Sequence, residues 1–217
     1  PDRPTGNALL VGMYGAEVTY VGSREERAPT MERIATELRA KGGKPVVIPL
    51  GASTPLGAMA IARGVGEMVS QGIVPDVIVH ATSSGGTQAG LIAGCALYET
   101  RTLVIGVSAD DPSADIRRIV LGLVAGVEEQ LGMPAGALGA GERCEVDDSY
   151  VGGGYGVPTD ASREAQSLAA RCEAMITDHW YTAKAMGGLI ARARSGAFPD
   201  GTSVLFWHTG GQPGVFA

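Results

Sequence analysis

The sequence predicts an α/β fold built on a mainly parallel sheet with helices on both faces. Three observations predict it. Short apolar runs alternate with longer segments whose apolar positions recur at helical spacing. The run Asp76–His80 (DVIVH) is of the buried type, expected where a sheet is covered on both sides. Glycine is abundant, at 33 of 217 residues, and many glycines stand between the runs, where backbone turns sharply or approaches a ligand. Strand–helix–strand alternation implies right-handed crossovers and a parallel sheet.

The elements follow in order. Glu17–Val21 (EVTYV) reads as a short strand. Arg24–Lys41 reads as a helix, with Met31, Ile34, Ala35 and Leu38 on one face and Gly42-Gly43 as its stop. Pro45–Leu50 (PVVIPL) reads as a strand, and Thr54-Pro55 opens a helix to about Gln71. Asp76–His80 is a strand, followed by a Gly/Ser loop and a helix from about Thr87 to Leu97. Thr102–Ser108 is a strand and Ala114–Leu131 a helix. Cys144–Val146 is a short strand, helices cover Ser162–Met175 and Ala183–Ser195, and Ser203–Trp207 is the last strand. Three loops then fall at strand carboxyl ends, where such sheets bind ligands: Ala81–Thr87, Asp148–Thr159 and His208–Gly214.

Composition narrows the function. Hydrophobic residues make up 45% and charged residues 18%, enough for a buried core. The net charge of -6 and the lack of a basic cluster argue against a nucleic-acid surface. No apolar run reaches the length of a membrane span, and no leader peptide is expected. Cys95, Cys144 and Cys172 are far apart and odd in number, so free thiols and a reducing cytoplasm are expected. No metal site is expected, because His80, His179 and His208 share no ligand spacing with one another or with the cysteines.

Four motifs carry the chemistry. Thr82-Ser83-Ser84-Gly85-Gly86-Thr87 follows a strand and opens a helix. Converging N–H groups, hydroxyls and a helix N-terminus suit an anion such as phosphate. The loop is neither a Walker A motif nor a dinucleotide fingerprint. Asp147–Thr159 places Tyr155 among glycines, where it either faces a cavity or lies against solvent. In Asp178–Leu189, spacing alone makes Thr182 an N-cap and Lys184 a solvated helix residue. His208, on a strand-end loop, is either a base or a hydrogen-bonded structural residue.

Taken in order, KPVVIPLGAS, SSGGTQAGL, DDSYVGGGYGVPT, WYTAKAMGGLI and FWHTGGQPGVFA resemble the fold-type II pyridoxal-phosphate enzymes grouped around D-cysteine desulfhydrase and 1-aminocyclopropane-1-carboxylate deaminase. The resemblance covers essentially the whole chain. It implies a tryptophan synthase β-like fold of two domains with mainly parallel sheets. Residues 1–50 would be the remainder of the smaller domain and 51–217 the larger, cofactor-binding one. It implies pyridoxal 5′-phosphate as cofactor, its phosphate held by Ser83, Ser84, Gly85, Gly86 and Thr87. Tyr155 and Tyr181 would be catalytic and would flank the substrate, with His208 also on the substrate side. Thr182 would face the pyridine nitrogen, where the deaminase typically has Glu. A neutral hydroxyl there suits β-elimination from a cysteine-like amino acid, giving a keto acid and ammonia. The alternatives are the cyclopropane deaminase itself, a racemase or other lyase on this fold, and a non-catalytic ligand-binding or regulatory subunit.

The resemblance also exposes a gap. The family's Schiff-base lysine lies in an N-terminal segment to which nothing here corresponds. The lysines are Lys41, Lys44 and Lys184, and none matches it. The expectation is a second polypeptide carrying that segment, in a dimer of such assemblies. The chain could instead be a fragment of a longer one, or a family member that binds a ligand without chemistry.

Overall fold

The computed structural model describes residues 4–216. The chain divides into two compact units, at residues 52 and 53.

The first unit contains helices α1 (Gly6–Met13) and α2 (Arg27–Ala40) and a short 3-10 turn at Leu50–Ala52. Helix α2 agrees with the expected helix but starts three residues later. Helix α1 was not anticipated, because its residues are mostly apolar or glycine and show no amphipathic period. The expected strands Glu17–Val21 and Pro45–Leu50 do not form. A strand exists only by pairing, and among the described residues this unit offers no ladder partner. The imprint of a strand survives in Val46, Ile48 and Leu50, which are exposed while Pro45, Val47 and Pro49 are half-buried.

The second unit runs α3 (Pro55–Ser70), β1 (Val77–Thr82), α4 (Gly86–Leu97), β2 (Leu103–Ser108), α5 (Ser113–Gln130), α6 (Ala140–Arg143), β3 (Cys144–Asp147), α7 (Asp160–Glu173), α8 (Thr182–Arg194) and β4 (Val204–Trp207). A 3-10 turn at Gln212–Phe216 follows. The sheet is parallel throughout, in the order β3-β2-β1-β4. Each element agrees with its sequence expectation to within about two residues, apart from the unforeseen single turn of α6.

The pleat explains the two cores. Ile78 and Val104 point to one face and pack with Val65 of α3, Leu91 and Ile92 of α4 and Ile116 of α5. Val77, Val79, Ile105 and Val107 point to the other and pack with Ala185 and Leu189 of α8. Each fully buried aliphatic side chain contributes roughly 2–3 kcal/mol against its exposed state. Two helix starts are capped. The Thr54 hydroxyl accepts from Gly57 N at 3.0 Å ahead of Pro55. Thr159 and Ser162 cap each other's backbone at 2.9 and 3.0 Å.

The chain runs outward from β1 to β2 to β3, then returns to place β4 on the far side of β1. Strand order therefore reverses beside β1. The crevice outside the carboxyl ends at such a reversal is where open parallel sheets bind ligands.

Candidate active site

Four loops converge at that end of the sheet. The first, Ser83–Gly85, leads from β1 into α4. Gly85 occupies the N-cap of α4 with φ 80°, a left-handed conformation suited to glycine. The first hydrogen bond inside α4 runs from Ala89 N to Gly85 O at 2.9 Å. The amides of Gly86, Thr87 and Gln88 therefore have no carbonyl within the helix. Gly86 N donates to the Ser53 hydroxyl at 3.1 Å, which in turn donates to the Ser84 hydroxyl at 2.8 Å. A Cβ on Gly86 would lie 2.6 Å from Ser53 Oγ, so only glycine fits this cradle. Ser53 escaped the sequence reading, because nothing in its local pattern points to a loop 31 residues ahead.

The second loop follows β2. Ser83 donates to Asp110 at 3.0 Å, which commits its hydroxyl proton and leaves Ser84 the better placed to donate to a ligand. Asp110 thus joins the serine loop to the loop after β2 and also acts electrostatically on Tyr181 and Lys184. The sequence carried no signal for that role.

The third loop, after β3, presents Tyr155, half-exposed at 52%. Its hydroxyl meets that of Tyr181 at 2.5 Å, with the rings edge to face at 5.5 Å. Burial, then the bond to Tyr155, push the Tyr181 phenol well above its ordinary pKa. Tyr181 therefore stays protonated at working pH and can hold or hand over a proton but not act as a resting phenolate base.

Thr182 is the first residue of α8 rather than its N-cap. The capping acceptor is Asp178, which is 2% exposed. Its carboxylate accepts from the backbone N–H of Trp180, Tyr181 and Thr182 at 3.0–3.1 Å and from the Thr182 hydroxyl at 2.6 Å. The Thr182 oxygen accepts in return from Asp178 N at 2.9 Å. Asp178 was legible only as an acidic residue shortly before a helix. Its closing of the turn depends on the loop after β4, where a Cβ on Gly211 would collide with its carboxylate.

Lys184, expected to be solvated, is 1% exposed. Its ammonium donates to the carbonyls of Ala109, Val151 and Gly154 at 2.8–3.1 Å. Burial pulls its pKa below the ordinary value, against the pull of Asp110. The expectation failed because its acceptors lie on loops remote in sequence.

His208 sits at the end of β4. Its Nε2 meets Ile176 O at 2.8 Å and its Nδ1 accepts from Gly210 N at 3.0 Å. Both nitrogens thus have backbone partners, and the imidazole pins the turn after β4. Trp180 ties the loops together, since a Cβ on Gly156 or Gly214 would touch its indole. Among the described residues no His, Cys, Asp and Glu cluster could hold a metal, and no helix is long and apolar enough to cross a membrane.

The structure brings Tyr155 and Tyr181 into contact, sets Thr182 beside them, and places the serine-glycine loop at the same sheet end. These residues fit a phosphorylated pyridine cofactor on grounds the structure itself supplies. The α4 N-terminus offers amides in a cradle closed to any side chain at position 86. Just ahead of it, the buried Thr82 hydroxyl oxygen finds no hydrogen-bond partner among the described residues.

Comparison with known proteins agrees. The family of pyridoxal-phosphate dependent enzymes matches residues 1–210. The chain is 35% identical over 215 residues to D-cysteine desulfhydrase of Salmonella typhi, covering 98% of this chain and 64% of that one. A solved structure described as an ACC deaminase homologue superposes with a TM-score of 0.88 at 33% identity, over 98% of this chain and 64% of that one. The solved threonine deaminase of T.th. shares the fold, with a TM-score of 0.54 at 18% identity over 92% of this chain and 64% of that one. The chain thus spans 64% of the length of the relatives it matches.

Proposed function

We propose that this chain, which belongs to the pyridoxal-phosphate dependent enzyme family, is the C-terminal portion or subunit of a β-eliminating lyase for a cysteine-like amino acid. The observation that carries the reading is the contact of Tyr155 with Tyr181, beside a neutral Thr182. When bound, pyridoxal phosphate supplies the electron sink that lets a proton leave the α carbon. The protein supplies the rest. Ser84 and the amides opening α4 hold the phosphate, assisted by Ser83 and Thr87. Tyr181 Oη, kept protonated, gives its proton to the departing sulfur or orients it, and Tyr155 fixes that hydroxyl. The Cα–H and Cβ–S bonds break: the Cα proton passes to the freed amine of the Schiff-base lysine, a thiol leaves with the Tyr181 proton, a proton from that amine restores the phenol, and the released enamine takes up water to give a keto acid and ammonia.

Thr182 supports elimination over cyclopropane opening. Its hydroxyl carries no charge of its own, and the Asp178 charge behind it is spread over three backbone N–H groups. A glutamate at this position would hold a ring nitrogen protonated far more strongly. A 1-aminocyclopropane-1-carboxylate deaminase is the rival activity, and assay of that substrate beside D- and L-cysteine separates the two.

The Schiff-base lysine, in this reading, comes from a second polypeptide, in a cytoplasmic dimer of such pairs. Lys184 is committed to three carbonyls, and Lys41 and Lys44 are exposed in the other unit. Exposed Val46, Ile48 and Leu50 offer that partner an apolar edge. Borohydride reduction of the natively purified protein, followed by intact mass of every chain, tests this. The phosphopyridoxyl mass on a smaller second chain is the expected result. Label on Lys41, Lys44 or Lys184 would overturn the two-chain reading. No label on any chain would favour a ligand-binding subunit.

A further inference from the structure

We infer that Lys184 is a positioning residue, a tethered cation in a cage of backbone carbonyls that fixes the loop carrying Tyr155. The link to turnover rests on the substrate-facing reading of Tyr155, but the cage and its effect on the loop belong to the chain alone.

An ammonium has three N–H donors, and each has an acceptor here: Ala109 O at 3.1 Å, Val151 O at 2.8 Å and Gly154 O at 2.8 Å. Ala109 belongs to the loop after β2. Val151 and Gly154 bracket Gly152-Gly153, and Gly154 immediately precedes Tyr155. The loop's own backbone bonds are long: Val151 N to Asp148 O at 3.3 Å, Gly154 N to Val151 O at 3.4 Å and Val157 N to Gly154 O at 3.2 Å. Gly152, Gly154 and Gly156 take positive φ of 64°, 120° and 74°. Such a loop loses much conformational freedom on ordering and needs an external tie. Charge-assisted bonds from one buried ammonium are the strongest tie available to two carbonyls whose backbone partners are this distant. Lys184 lies two residues after Thr182 on rigid α8, so the same helix that presents Tyr181 also holds the loop presenting Tyr155. The short contact between the two phenols follows from that shared support.

The test uses the chain without cofactor, so it stands or falls apart from the lyase reading. Amide hydrogen exchange is compared for wild type, Lys184→Met and Lys184→Ala. The expected result is faster exchange at Val151, Gly154 and Val157, on the order of tenfold or more, with β1 and α7 amides unchanged. n-Propylammonium, which restores the atoms missing in Lys184→Ala, should slow that exchange in this variant and not in Lys184→Met. Residue-resolved tyrosine NMR should show Tyr181 titrating at lower pH in both variants, as its bond to Tyr155 is lost. Exchange that rises evenly through the unit, or stays at wild-type rates in the loop, would overturn the proposal. If neither variant folds, the wild-type chain still decides. It has only three lysines, so selective 15N labelling resolves their ammonium groups. Loop amides and Lys184 ammonium protons should then exchange with matching protection. Amides that open far faster than the ammonium would show that Lys184 does not hold the loop.

Discussion

Replacing Asp178 with alanine should destabilise the second unit severely, and the magnitude can be worked from its contacts. The carboxylate is almost wholly buried and accepts three backbone N–H bonds and one hydroxyl bond. Losing an N-cap acceptor costs about 1–2 kcal/mol. Here further donors, Trp180 N and Tyr181 N, lose the same partner, at about 1–3 kcal/mol for each one that water cannot reach. Partial rescue by water brings the expected loss to roughly 3–5 kcal/mol. Asp178→Asn keeps one acceptor oxygen and should lose roughly half as much. Urea unfolding followed by tryptophan fluorescence reads the change, because Trp180 packs beside this turn. A loss below about 1 kcal/mol for Asp178→Ala would refute the reasoning. It would mean that the α8 opening is held by packing and that the carboxylate is incidental.

Other outcomes follow from single contacts. Gly86→Ala places a Cβ against Ser53 Oγ and within 3.0 Å of Ser53 Cα. The cradle must shift, and affinity for pyridoxal phosphate or inorganic phosphate, measured by calorimetry, should fall on the order of tenfold or more; unchanged affinity would remove this loop from the phosphate site. Thr182→Glu should shift the absorption of bound cofactor and lower elimination, and an unchanged spectrum and rate would remove Thr182 from the ring nitrogen. Acid should weaken the fold through His80, which lies fully buried on β1 and donates only to Ala81 O. Burial lowers its pKa from 6.5 to about 4. The unfolded chain therefore takes up a proton that the folded chain refuses. The His80 contribution is whole above pH 6.5 and is lost as pH falls towards 4, by on the order of 3 kcal/mol. Urea midpoints across that range should fall less in His80→Gln, and parallel curves would contradict the assignment.

The sequence made the second unit legible because its strands are short apolar runs and its helices carry apolar residues at helical spacing between them. Thr54-Pro55 marks a start that the structure confirms, whereas the Thr159 cap moves the start of α7 two residues ahead of the expected Ser162. The strands of the first unit were misread for a physical reason. Pro45–Leu50 has the composition of a strand, but pairing is a property of neighbours and cannot be read from one segment. Tyr155 and Tyr181 could be singled out by motif, and the structure adds that they touch. Asp110, Ser53 and the burial of Lys184 stayed hidden for a common reason. Each depends on partners more than 25 residues away, set by the way loops fold over a sheet end.

The glycines of this sheet end are better understood as close-packing residues than as sources of flexibility. Gly86 admits Ser53, Gly211 admits the Asp178 carboxylate, and Gly156 and Gly214 admit Trp180. At each, a side chain from another segment fills the space a Cβ would take. The α8 opening then carries a buried anion at Asp178 and a buried cation at Lys184, each saturated largely by backbone groups. Tyr181 and Thr182 lie between the two. A glycine-rich loop is by itself a poor platform for a catalytic phenol, because ordering it costs entropy. Lys184 binds that loop's backbone and turns it into a fixed one, from a helix anchored in the core by Ala185 and Leu189, while Asp178 fixes the turn that carries Tyr181. Precision at the phenols is thus set by residues that touch no substrate, and substitutions there should alter alignment before they alter chemistry.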